Sequence, residues 1–133
     1  MRPVIRSAGA VAAGLVAAVV VVAGMEAVSS AVYPLPAGMD PYDPEALAAH
    51  MSQLPFGAFL SVLAAWGVGT SLGVWIATRL GPGRRAVHGY VVAGLVLAAS
   101  VTNMIMLPHP LWFWAAAVVV IGVAGHWGAR LAA

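Results

Sequence analysis

Cysteine and lysine are both missing from this chain, and charge of either sign is scarce: six arginines and four acids in 133 residues, or 8%. Without cysteine there is no disulfide, no thiolate metal site and no thiol nucleophile. Soluble domains are about a quarter charged, because polar side chains must cover their surface. So little charge argues against a soluble enzyme, a nucleic-acid binder and a disordered chain alike. No phosphate-binding glycine loop, H-E-x-x-H, G-x-S-x-G or dinucleotide fingerprint occurs either. No enzyme activity, catalytic residue, cofactor or resident metal is therefore expected.

The chain is rich in apolar residues, which make up 62% of it. Four runs reach the roughly 20 helical residues that cross a hydrocarbon core: residues 4–28, 56–78, 86–107 and 111–129. They show no period-2 alternation, so helices satisfy their backbone groups in lipid rather than a barrel. The expected fold is all-α, a single four-span membrane domain arranged as a four-helix bundle. Gly81-Pro82-Gly83 and Pro108-His109-Pro110 supply tight turns after the second and third spans.

The remaining connection, 29–55, is long, acidic and rich in proline. Asp43-Pro44-Glu45 reads as a helix start, with an Asp cap, Pro in the first turn and an acid near the positive end of the dipole. Leu47, Met51 and Leu54 follow on one face, which predicts a short amphipathic helix over 44–54 lying on the membrane surface.

Arginine sets the orientation. Arg2, Arg6, Arg79, Arg84, Arg85 and Arg130 all fall on one side of a four-span chain, and Asp40, Asp43 and Glu45 on the other. The positive-inside rule then puts both termini in the cytoplasm and the acidic loop outside. The rival reading makes the first span a signal peptide cleaved near Ser29-Ser30-Ala31. That run is longer than a usual signal core, and Glu26 sits near its end.

Three groups of residues invite a functional reading. Gly57, Ser61, Ala65, Gly69, Gly73 and Ala77 recur every four residues and form a stripe where another backbone approaches closely. It serves either packing within the chain or an interface with a second copy or a partner. Glu26, the one acid inside a span, and Asn103 lie at similar depth and come within hydrogen-bonding reach if their helices face each other. An intramembrane carboxylate is a candidate proton or cation site. Asp40, Asp43, Glu45 and His109 are candidate loop contacts. Two further groups are His88 with His126, a candidate haem or metal pair, and five methionines near the acidic side, whose thioethers suit Cu(I).

Read as a whole, the chain resembles a group of small four-span bacterial membrane proteins of unassigned function. The resemblance rests on Tyr33-Pro34-Leu35-Pro36, Gly38-Met39-Asp40-Pro41, Asp43-Pro44-Glu45-Ala46, Leu54-Pro55, Asn103 and Pro108-His109-Pro110. It implies four spans and a bacterial inner membrane, and brings no activity. The leading expectation is a structural or accessory membrane protein that binds itself or a larger membrane complex through the stripe and the acidic loop. Its partners are the lipid bilayer and other membrane proteins, not nucleic acid. The alternative is a small oligomeric transporter of protons, ions or small solutes using Glu26 and Asn103.

Overall fold

A computed structural model describes residues 2–133. Five helices follow one another: α1 Arg2–Val32, α2 Pro44–Gln53, α3 Phe56–Leu80, α4 Arg85–Met106 and α5 Leu111–Ala132. All but α2 are long and apolar enough to cross a membrane. These four helices coincide with the apolar runs of the sequence to within a few residues, with one exception. Helix α1 does not stop at Val28 but continues to Val32. Two serines that looked like loop residues are accommodated there: Ser30 Oγ donates back to the Glu26 carbonyl at 2.9 Å, and Ser29 and Ser61 share a hydroxyl hydrogen bond of 2.7 Å. Serine that bonds back one turn is compatible with a helix, and Pro34 then restricts the residue before it and ends the run. At about 1.5 Å per residue, α1 is roughly 46 Å long, so it extends beyond a hydrocarbon core of about 30 Å.

Helix α3 touches α1, α4 and α5, and α1 also touches α4, while α1 and α5 do not meet. The contacts fix direction. Ser29 pairs with Ser61, and Gly14 packs against Gly73, so α1 and α3 run antiparallel. Ser7 pairs with His88, and Gly14 meets Val92, so α1 and α4 run in the same direction. Gly128 rests on Ser71, Gly67 meets Val120, and Trp66 meets Phe113, which aligns α5 with α3. This arrangement gathers all six arginines at one end of the molecule, the arginine end. Asp40, Asp43 and Glu45 lie at the other, the loop end.

Glycine lets these helices approach closely near the arginine end. Gly14, Gly73 and Gly89 press against neighbouring backbone, and Val74, Ala77 and Val92 beside them are fully buried. In lipid, such contacts supply the attraction between helices, because the solvent is as apolar as the side chains. Aromatic packing takes over toward the loop end. Phe113, fully buried, has Phe59 at 5.8 Å and Trp66 at 5.4 Å, both edge-on. Edge-to-face pairs favour the ring quadrupoles and add about 0.5–1.5 kcal/mol each.

The turns follow their sequences. Gly83 has φ 63°, a left-handed conformation that glycine adopts without a Cβ penalty. Pro55 and Pro110 stand directly before α3 and α5, where their missing N–H leaves no helical hydrogen bond unmade. Asp43 caps α2, accepting from the Glu45 and Ala46 amides at 3.0 and 3.4 Å, a contact worth about 1 kcal/mol. The helix ends at Gln53, and its apolar face turns inward. Leu47, Met51 and Leu54 turn toward the other helices, where Met51 and Leu54 pack against the core and all three line a cavity.

Candidate functional site

Two cavities adjoin at Glu26 and Asn103. The first is a lateral groove of about 280 Å³ between α1 and α4, walled by Leu15, Val19, Val22, Val96 and Ala99, with Trp66 from α3 against it. The second is a vestibule of about 550 Å³ at the loop end. Leu47, His50 and Met51 of α2 and Leu54 just after it form one side of it, and Tyr33, Ser30, Phe59 and His109 contribute to the rest. Glu26 and Asn103 line both, so the two residues paired on depth alone do face a common space. Among the described residues no hydrogen bond joins their side chains, and no donor reaches the Glu26 carboxylate. Both side chains remain exposed to the cavities.

Below the groove, toward the arginine end, α1, α3 and α4 pack closely. The backbones of Gly14 and Gly73 lie in contact, and Val92 closes over them. The small-residue stripe accounts for this closure, and its partner is α1. Gly69 meets Ala18 and Val22, Gly73 meets Gly14 and Ala18, Ala77 meets Gly14, Ser61 bonds to Ser29, and Gly57 meets the Tyr33 hydroxyl. Ala65 is fully buried. The stripe is thus an interface within the chain, and the face expected for a second copy or a partner is already covered.

The loop residues divide. Asp40 accepts from the Tyr42 amide at 2.9 Å, and Asp43 is the α2 cap, so these two carboxylates hold backbone turns. Glu45 is exposed in the first turn of α2. His109 is partly buried beside the vestibule: its ring stacks on Phe113 at 4.6 Å and meets Phe59 edge-on. Its Nδ1–H donates to the Leu107 carbonyl at 2.9 Å. Burial holds the His109 imidazole below its ordinary pKa of 6.5, a shift the Leu107 hydrogen bond partly offsets.

That depression carries a pH dependence. A histidine held neutral in the folded protein takes up a proton more readily when unfolded. Its contribution to stability is therefore complete above 6.5 and is lost as the pH falls below that value toward the folded-state pKa. Acidification from about pH 7.5 to about pH 5.5 should lower the thermal midpoint of the detergent-solubilised protein. His109→Phe, which keeps a ring against Phe113, should flatten that fall. A variant whose midpoint falls as steeply as the wild type's would show that His109 does not carry it.

The remaining pair is not brought together. His88 Nε2 lies 2.9 Å from Ser7 Oγ, so its ring faces α1 and also packs against Gly81. His126 is exposed on α5, which does not touch α1. Among the described residues no group of three or more His, Asp or Glu is placed to hold a metal ion.

The vestibule itself was not legible in the sequence. Its walls come from both ends of the 29–55 connection and from the α4–α5 turn, and the one available signal was the apolar face of α2. Fold and site together define an all-helical protein with four helices suited to a membrane and a polar site where a lateral groove meets a terminal vestibule. Comparison with protein-family models, curated proteins and solved structures finds no match.

Proposed function

We propose that this is an integral membrane binding protein, accessory rather than catalytic, whose site is the junction of groove and vestibule at Glu26 and Asn103. In this reading the protein sits in a bacterial inner membrane as a four-helix bundle. The arginine end and both termini are cytoplasmic, and α2 with the acidic loop is external. The positive-inside rule supports that orientation, since arginine is confined to one end.

The observation that carries the binding reading is that one carboxylate and one carboxamide line two adjoining cavities at once. Ligand sites are commonly concave and mostly apolar, with a few convergent polar groups, and occupy about 300–1,000 Å³. The closed packing of Gly14, Gly73 and Val92 favours holding over conduction, because the space beside Glu26 and Asn103 stops there rather than continuing through the chain. The covered stripe moves the interaction role away from self-association and toward this site.

A chain without cysteine makes the test direct. Single substitutions Ser30→Cys and Asn103→Cys should react with a membrane-impermeant maleimide applied to the external face of intact cells. Ala99→Cys, in the lateral groove, should react only with a lipid-soluble maleimide. Arg84→Cys should react with the impermeant reagent only after the membrane is opened. Labelling of Arg84→Cys in intact cells would overturn the orientation. An Asn103→Cys thiol shielded from both reagents would overturn the open site.

A further inference from the structure

Charge at the site names a ligand class, an inference that rests on the binding reading above. All four acids of the chain, Glu26, Asp40, Asp43 and Glu45, belong to the loop end, and none of the six arginines does. Asp40 and Asp43 accept hydrogen bonds from nearby backbone amides. Glu45 is exposed on α2. The Glu26 carboxylate is the one that faces both cavities, and among the described residues no donor reaches it. An anion in an apolar wall needs a compensating charge or hydrogen bonds, because its desolvation is expensive. Next to it runs a groove of about 280 Å³ lined almost wholly by aliphatic side chains and Trp66.

We infer that the site takes a lipophilic monocation, with an ammonium head at Glu26 and Asn103 and a single apolar tail in the groove between α1 and α4. The charge distribution selects among amphiphiles. An anionic head would find no arginine at this end and would meet a carboxylate. An aminophospholipid would bring a phosphate alongside its ammonium, again with no arginine at this end to receive it. A cation without an accompanying anion matches both the lone carboxylate and the acidic surroundings, which also raise its local concentration.

The test uses the full chain in nanodiscs of zwitterionic lipid, with binding to empty nanodiscs subtracted. The probe is radiolabelled decyltrimethylammonium, with decyl sulfate and decanol as anionic and neutral counterparts. The cation should bind saturably, one per chain, and at least tenfold more tightly than either counterpart. Glu26→Gln should weaken it about tenfold or more, and Glu45→Gln should leave it unchanged. Ala99→Trp, at an exposed groove position where the fold tolerates bulk, should abolish it. A brominated tail should quench the Trp66 fluorescence, a signal lost in Trp66→Phe.

Decanol or decyl sulfate binding as tightly as the cation, or a Glu26→Gln variant with wild-type affinity, would overturn the cation assignment and leave the binding site standing. Failure of all three probes to bind the wild type would overturn the site itself. If Glu26→Gln does not fold, the ranking of the three probes on the wild type still decides.

Discussion

Gly73→Val is expected to destabilise the protein by about 3 kcal/mol or more, at the upper end of the range for overpacking a close contact. A Cβ on Gly73 would stand 2.6 Å from the Gly14 carbonyl oxygen, 2.9 Å from Ala18 Cβ and 3.3 Å from Val92. Two of these three neighbours belong to α1, and the nearest is backbone, which cannot rotate away as a side chain can. The helices must therefore separate along the line where α1 and α3 approach most closely. Valine also has the better helix propensity by a few tenths of a kcal/mol, so a loss of stability cannot come from the helix itself. Gly94 and Gly122 are the matched controls, since a Cβ at either meets nothing within 4 Å. Gly94→Val and Gly122→Val should stay within about 0.5 kcal/mol of the parent. Unfolding midpoints in a denaturing detergent titration check all three. Equal midpoints for Gly73→Val and Gly94→Val would show that the α1–α3 contact does not hold the chain together.

Phe113→Ala should cost about 2–3 kcal/mol and loosen the vestibule as well. Phe113 is fully buried and packs against Phe59, Trp66, Trp112 and His109. In water such a truncation costs about 3–5 kcal/mol, from lost transfer energy together with the cavity left behind. A membrane reduces the first contribution, because the unfolded reference is also in an apolar solvent. The lost dispersion contacts and ring pairs remain. His109 loses its stacking partner in the same step and becomes more accessible to water. Its depressed protonation should therefore relax, and the acid sensitivity of the midpoint should shrink along with the stability. Phe113→Leu, which refills most of the space, should recover at least half of the loss. A Phe113→Ala protein as stable as the parent would place the strength of the loop end outside the aromatic cluster.

These two sites differ in how plainly the chain announces them. The Gly57–Ala77 stripe is visible as a four-residue period, because close helix packing demands small side chains at that spacing. Its partner is not visible: α1 offers Gly14 and Ala18, yet long runs of alanine and valine on every side hide which face is used. The Phe59, Trp66 and Phe113 cluster is invisible for a different reason. No spacing along the chain links Phe59 and Trp66 to Phe113, and only the alignment of α3 with α5 brings them together.

The same holds for Glu26 and Asn103. Their common depth follows from counting residues along two helices, whereas their common cavity depends on α1 and α4 being neighbours. The 29–55 connection shows the limit most clearly. Its capped helix follows from Asp43, Pro44 and Glu45, since capping is a local matter of a side-chain oxygen and two amides. Whether that helix lies on lipid or over a cavity is not local, and its apolar face suits either.

What this chain settles by composition and order alone is four long apolar helices suited to a membrane, the segregation of arginine from acid and the two tight turns that follow the second and third of those helices. Each depends on the chemistry of a short stretch meeting lipid or water. What required the assembled helices is which faces meet: the stripe against α1, the aromatic cluster between α3 and α5, and the two cavities that adjoin at Glu26. In an apolar solvent burial does not distinguish one greasy face from another, so the choice falls to backbone fit at a few glycines, and fit exists only between elements already side by side.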